Sequence, residues 1–284
     1  MWIESEKNPW IRRWAALQSK KGRKEQASFL VEGIRLVKEL LQSSLQVHAL
    51  AFLIDRDADG GSFAALADLA GLRQVPMYHL SARAFAAVSD TVTSQGVIAV
   101  AGIPSSPAIG LDDGEETRAI QPSWGYDAEM GGRALLLDGV QDPGNVGTLL
   151  RSADAFALKR VFCGQGTADP YGQKAVRASM GGLFRLQVHS GKTSTEYVNA
   201  WHRQWPQGEV WVADAAGASL CSEAVLTGPV LLVIGNEGNG VSPGVLSLAH
   251  GRLRIPMASE TESLNAAVAG SILLYEAYRQ EMKR

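Results

Sequence analysis

Residues 230–234, Val-Leu-Leu-Val-Ile, carry no polar side chain and empty directly into Gly235-Asn236-Glu237-Gly238-Asn239-Gly240-Val241-Ser242. A short apolar run without alternation reads as a strand covered on both faces, as in a parallel sheet flanked by helices. Three glycines within the six residues 235–240 let the backbone approach a ligand closely as the chain leaves that strand. The order is GxxGxG rather than GxGxxG, and no GK[ST] follows, so neither a dinucleotide fingerprint nor a P-loop is present. A plain turn is the simpler alternative, although Glu237 is an unusual residue to lodge in one.

The surrounding chain supports the parallel sheet. Ala134–Asp138, Arg160–Cys163, Val210–Ala213 and Leu253–Ile255 read as further strands. Helical patterns run over about 145–157, 196–203 and 264–282. In such sheets ligands bind at the carboxyl ends of strands. Two more loops stand at strand ends. One is Asp142-Pro143-Gly144-Asn145-Val146-Gly147, with Asn145 at a helix-cap position and Arg151 farther along a mostly apolar helix. Arg151 has a fork of donors suited to a phosphate or ribose oxygen. The bland alternative has Asn145 only capping and Arg151 paired with Asp138 or Asp142. The other loop is Ile255-Pro-Met-Ala-Ser-Glu-Thr-Glu-Ser263-Leu264-Asn265, which enters a helix rich in small residues. Ser263 and Asn265 there can cap the helix or touch a ligand.

The N-terminal half differs. Between Lys7 and Lys24 lie Lys7, Arg12, Arg13, Lys20, Lys21, Arg23 and Lys24 and no acid, with Trp10 and Trp14 at helical spacing. Cations interleaved with aromatics suit phosphate neutralisation and base stacking. A solvated amphipathic helix whose tryptophans pack on the next domain is the alternative. From 27 to 102 short strands and helices alternate: strands near 28–33, 47–54, 75–78 and 96–101, helices near 34–41, 63–72 and 82–88. This predicts a small α/β domain. Residues 103–132, rich in Pro, Gly, Ser and acids, lack periodicity and read as a linker or insertion. The expected divisions are therefore 1–26, 27–102, 103–132 and 133–284.

Net charge is −2, so any affinity for nucleic acid rests on local clustering. Cys163 and Cys221 form no CxxC pair, and no metal-ligand cluster stands out, so no metal is expected. The sequence opens without an apolar signal region, and no run approaches the ~18 apolar residues of a membrane span. A cytoplasmic protein is expected.

Together, Asp142-Pro-Gly-Asn-Val-Gly-Thr-Leu-Leu-Arg151, Ile234-Gly-Asn-Glu-Gly-Asn-Gly-Val-Ser242 and Ile255-Pro-Met…Ser263-Leu-Asn-Ala-Ala-Val268 resemble, in order and spacing, the three motifs of the SpoU/TrmH RNA 2'-O-methyltransferases. Lys20-Lys-Gly-Arg23…Phe29-Leu-Val-Glu-Gly33 resembles the start of the ribosomal-protein-like (L30e-like) substrate-binding domain that precedes many of them. The resemblance implies a SPOUT α/β-knot, a deep trefoil knot in a parallel-sheet domain, after a small L30e-like α/β domain. It implies S-adenosylmethionine as cofactor, with Gly235, Asn236, Gly240, Ile255 and Leu264 at its pocket. It implies Arg151, Asn145, Glu237, Ser263 and Asn265 as the catalytic set, and a homodimer. RNA would be gripped by Arg12, Arg13, Lys20, Lys21, Arg23 and Lys24. Ribosomal RNA is favoured as substrate, with transfer RNA, and a non-catalytic ribosome-assembly role on the same fold, as the alternatives. A guanidinium, which stays protonated in proteins, is better suited to stabilising a developing alkoxide than to accepting a proton.

Overall fold

The computed structural model describes residues 1–54, 61–91, 93–104, 132–258 and 263–283. The expected linker lies almost wholly outside these residues, as do Ser259, Glu260, Thr261 and Glu262 of the third loop. The chain forms two compact units. One is Met1–Pro104 together with Asp169–Arg185; the other holds the described residues from 132 to 168 and from 186 onward.

The first unit is built on a five-stranded mixed sheet with order β1-β4-β3-β5-β2: β1 (Trp2–Ile3), β2 (Ser28–Glu32), β3 (Val47–Leu53), β4 (Met77–Leu80) and β5 (Val97–Gly102). β5 runs antiparallel to β2 and β3, while β4 is parallel to both of its neighbours. Helix α3 (Ile34–Gln42) buries Leu36, Val37, Leu40 and Leu41, the i, i+1, i+4, i+5 stripe of an amphipathic helix. Helices α4 (Ser62–Leu72) and α5 (Ala82–Ala86) complete the expected pattern.

Two features correct the expected divisions. The basic segment is not separate from the following domain. Helix α1 (Pro9–Ala16) and its C-cap place Ile11, Trp14 and Leu17 in the same core as Tyr78, Leu80 and Ile98, and α2 (Lys20–Gln26) follows directly. Trp14 meets Tyr78 edge-on with centroids 5.1 Å apart. Residues 169–185, which the expected divisions place within 133–284, also belong to this unit. They form α7 (Gln173–Ser179) and a 3₁₀ turn at Gly182–Arg185. Phe29 packs on Tyr171 and Phe184, and Arg23 pairs with Asp169 at 2.6 Å.

The second unit is a seven-stranded sheet with order β10-β12-β9-β11-β6-β7-β8, parallel at every pairing. Its strands are β6 (Ala134–Asp138), β7 (Arg160–Cys163), β8 (Gln187–Ser190), β9 (Glu209–Ala213), β10 (Ser219–Leu220), β11 (Val230–Gly235) and β12 (Gly251–Arg254). One face packs Leu136, Phe162, Leu231 and Val233 against Tyr197, Val198 and Trp201 of α8 (Ser194–Gln204). On the second face α6 (Pro143–Ala155) and α10 (Ala266–Glu281) meet closely; a side chain at Gly270 would sit 2.3 Å from Leu149 Cδ2. Short α9 (Pro243–Leu246) follows the glycine turn.

Chain order reverses between β6 and β11, which are adjacent in the sheet although successive strands from β6 run outward through β7 to β8. Such a switch point opens a crevice at the strand ends. The turns after β6 and β11 both emerge there.

Candidate active site

Helix α6 starts earlier than its apolar pattern suggests. Its N-cap is Asp142, whose Oδ1 accepts from Asn145 N at 2.9 Å, with Pro143 in the first turn. Asn145 is therefore not the cap, and its amide is free for other contacts. Nδ2 donates to Glu237 Oε1 at 2.9 Å, and Oδ1 accepts from Asn265 Nδ2 at 3.0 Å. Asn265 in turn caps α10, its Oδ1 accepting from Ala267 N and Val268 N. One asparagine thus joins all three loops.

Glu237 is locked from the other side as well. Its Oε2 accepts from Gln141 N at 3.0 Å and its Oε1 from Asp142 N at 3.1 Å. Burial alone would raise its pKa. The hydrogen bonds from Gln141, Asn145 and Asp142 outweigh burial and hold it below the ordinary carboxylate value. The turn after β11 is pinned to the turn after β6 by Asn236 Nδ2 donating to Gly139 O at 2.9 Å. Asn236 and Gly240 exchange backbone bonds at 2.9 Å in both directions. A side chain at Gly235 would lie 2.4 Å from the backbone of Gly240 and Val241, so the turn closes only over glycine. At the base, buried Asp138 accepts from Ser194 Oγ and from Ser242 N, tying the exit of the glycine turn to α8.

A cavity of about 710 Å³ opens among these turns. Gly235, Asn236, Gly240, Ile255 and Leu264 line it, as do Glu237, Ser263 and Asn265. Apolar Leu253, Ile255, Met257 and Leu264 form a slot suited to a purine, while the glycine backbone supplies polar groups. Among the described residues its wall carries two carboxylates, Glu237 and Asp214, and no basic side chain. That set fits a cationic nucleoside such as S-adenosylmethionine and suits a polyphosphate poorly.

Arg151 stands apart from this network. It is exposed and makes no hydrogen bond or ion pair with a described residue. Six residues beyond Asn145, it sits about 9 Å along α6 and about 240° around it. Neither alternative pairing occurs, since Asp138 bonds Ser194 and Ser242 and Asp142 caps α6. Sequence reasoning missed Asp214 as a wall residue and Asp138 as a tether. The available signal was an acid closing an apolar strand, Asp138 as the last residue of β6 and Asp214 directly after β9.

The basic patch in the first unit is also altered. Arg12, Lys20, Lys21 and Lys24 are exposed. Arg13 bonds Gln26 and lies 5.9 Å from the ring of Trp10, which remains 39% exposed. Arg23 is a correction. It is 6% exposed and donates to Asp169, Leu17 O and Gln18 O, so its guanidinium is committed inside the fold. Among the described residues no cluster could hold a metal, and no helix is long and apolar enough to cross a membrane.

Comparison with known proteins places this geometry. Residues 132–275 match the model of the SpoU rRNA Methylase family, and residues 8–99 match the MRM3-like substrate binding domain. The chain is similar to the 23S rRNA (guanosine(2553)-2'-O)-methyltransferase RlmP of Bacillus subtilis, 32% identical over 277 residues, 96% of this chain and 97% of that one. Among solved structures, an AdoMet-bound rRNA methyltransferase from Sinorhizobium meliloti superposes with a TM-score of 0.79 at 27% identity, covering 98% of this chain and 97% of that one. The SpoU methyltransferase AviRb from Streptomyces viridochromogenes, in complex with AdoMet, gives 0.78 at 27% identity, covering 97% and 99%. The chain belongs to the SpoU rRNA methylase family.

Proposed function

We propose that this protein methylates a ribose 2'-hydroxyl of ribosomal RNA, using S-adenosylmethionine. The observation that carries the reading is the Asn145–Glu237–Asn265 junction beside a cavity whose wall suits a cationic nucleoside. Bound in that cavity, the cofactor supplies a methyl group already activated by the sulfonium charge.

The chain's own residues do the rest. Asn145 and Asn265, each fixed by hydrogen bonds, present amide groups that orient the target ribose. Ser263 lines the same wall and adds a hydroxyl. Glu237, ionised at neutral pH, holds Asn145 and the 141–142 backbone in place. Arg151, free of intramolecular partners among the described residues, takes the target phosphate and stabilises negative charge developing on the 2'-oxygen. Arg12, Arg13, Lys20, Lys21 and Lys24 give the first unit a cationic face for RNA, and the half-exposed Trp10 ring offers a stacking surface. Ribosomal RNA is favoured over transfer RNA because the Bacillus subtilis relative is named for 23S rRNA and the first unit matches a substrate-binding domain.

A homodimer is part of the proposal. Along α10 and its C-cap, Val268, Tyr275 and Met282 recur every seven residues and are 47%, 51% and 70% exposed. Such a stripe fits pairing with a second copy beside Arg151 on α6. The knotted threading is supported by the path of the chain, which leaves β11, passes β9 to form β12, and returns as α10 against α6. The reading is tested by incubating the protein with methyl-labelled S-adenosylmethionine and separate ribosomal and transfer RNA pools lacking the mark. Label should appear at a ribose 2'-oxygen of ribosomal RNA. Label in transfer RNA alone, or in a base, would refute it.

A further inference from the structure

The cavity wall includes Val212, Ala213, Asp214 and Ala215, the end of β9 and the turn that follows. β9 lies beside β11 in the sheet, so Asp214 emerges one strand away from the glycine turn. Its backbone N–H bonds Leu253 O at 3.0 Å. Its Oδ1 accepts from Ala216 N at 2.9 Å and its Oδ2 from Arg252 Nη1 at 3.2 Å. These contacts hold the carboxylate at the wall, half-buried, next to Leu253 and Ile255 of the apolar slot. An ionised carboxylate offers about four lone-pair sites, and two of them are taken. Glu237, the other wall carboxylate, is committed to Gln141, Asp142 and Asn145.

We propose that Asp214 is a specificity residue for the adenosyl end of the methyl donor, accepting a hydrogen bond from a ribose hydroxyl or from the exocyclic amine of the purine. The inference rests on the functional reading above. Its physical logic parallels dinucleotide-binding sheets, where an acid at the end of the strand next to the glycine turn takes a ribose hydroxyl. Because Arg252 already balances the Asp214 charge, the gain comes from a directed hydrogen bond rather than from attraction to the sulfonium.

Isothermal titration of the full chain tests this without any turnover. S-adenosylmethionine, S-adenosylhomocysteine and methylthioadenosine share the adenosyl group and differ in charge and tail. Asp214→Ala should weaken all three by a similar factor, about tenfold. Asp214→Asn, which keeps an acceptor for Ala216 N and so guards against misfolding, should weaken them by a smaller common factor. Methylthioinosine has a carbonyl in place of the amine. A penalty that persists with it assigns the bond to the ribose, and one that vanishes assigns it to the amine. Unchanged affinities in both variants, or a loss confined to S-adenosylmethionine, would overturn the proposal. Failure of the wild-type chain to bind S-adenosylmethionine would instead overturn the functional reading beneath it.

Discussion

Asn145 and Glu237, 92 residues apart in sequence, meet through a single 2.9 Å hydrogen bond from amide to carboxylate. Because Asn145 also accepts from Asn265, that bond couples the loop after β6 to the loop after β11 and to the cap of α10. The site is a junction of three turns, and its precision depends on how well each is tied to the others.

Glu237→Gln tests the tie. A glutamine presents one acceptor where the carboxylate uses two oxygens to take Gln141 N, Asp142 N and the Asn145 amide. Its NH₂ group would face one of these donors, and Asn145 would shift. Single-turnover methyl transfer should slow by about 10²-fold, the scale of a small misplacement of a reacting group. Circular dichroism should remain that of the wild type.

The basic residues separate into two classes. Arg23→Ala leaves Asp169 without its buried partner and should destabilise the first unit by about 3 kcal/mol, seen in thermal unfolding. Lys20, Lys21 and Lys24 stand in solvent. Changing all three to glutamate should leave the melting temperature within a degree or two of wild type, while RNA affinity falls and its salt dependence flattens.

Acid should act on folding before it acts on the junction. Glu237 has a depressed pKa, so its contribution is fully present above the ordinary glutamate value and is lost only as pH falls through a lower one. The rate profile should show no acid limb from this group between about pH 5 and 8. His189 acts with the same sign but in a higher pH window, because the fold favours its neutral rather than its charged form. Burial, and then the charge of Arg160, pushes its pKa down to about 4. The unfolded chain therefore binds a proton that the folded one does not as pH falls below the ordinary histidine value, and stability declines from there toward pH 4. Thermal unfolding followed from pH 7.5 to 5 should drop more for wild type than for His189→Gln.

The exposed stripe on α10 predicts a mass. Light scattering after size exclusion should give twice the chain mass for wild type. Val268→Glu with Tyr275→Glu should shift it to the single-chain mass while cofactor binding persists. A monomeric wild type would remove the proposed interface.

Much of this was legible in the sequence because glycine, proline and asparagine at strand ends carry local information. The Val230–Ile234 run and its turn and the Asn265 cap follow from short-range rules. The boundary of α6 was displaced because Asp142, rather than Asn145, satisfies the first free N–H groups, which only the fold distinguishes. Residues 169–185 escaped notice for a different reason. Their docking on the first unit depends on Tyr171 meeting Phe29 and Asp169 meeting Arg23 across more than a hundred residues, and no periodicity within the segment announces it. Arg23 was misread on the same account, since a cation among cations looks solvated until its partner is found. Asp214 was passed over because its neighbour across the wall, Leu253, comes from a strand added later in the chain.

In the proposed mechanism the three turns cradle the methyl donor while Arg151 serves the ribose. The most direct measurement pairs cofactor titration with single-turnover transfer in Arg151→Ala. S-adenosylmethionine should bind this variant as it binds wild type, while transfer to ribosomal RNA falls by at least about 10²-fold. Transfer at the wild-type rate, or loss of cofactor binding together with transfer, would contradict it.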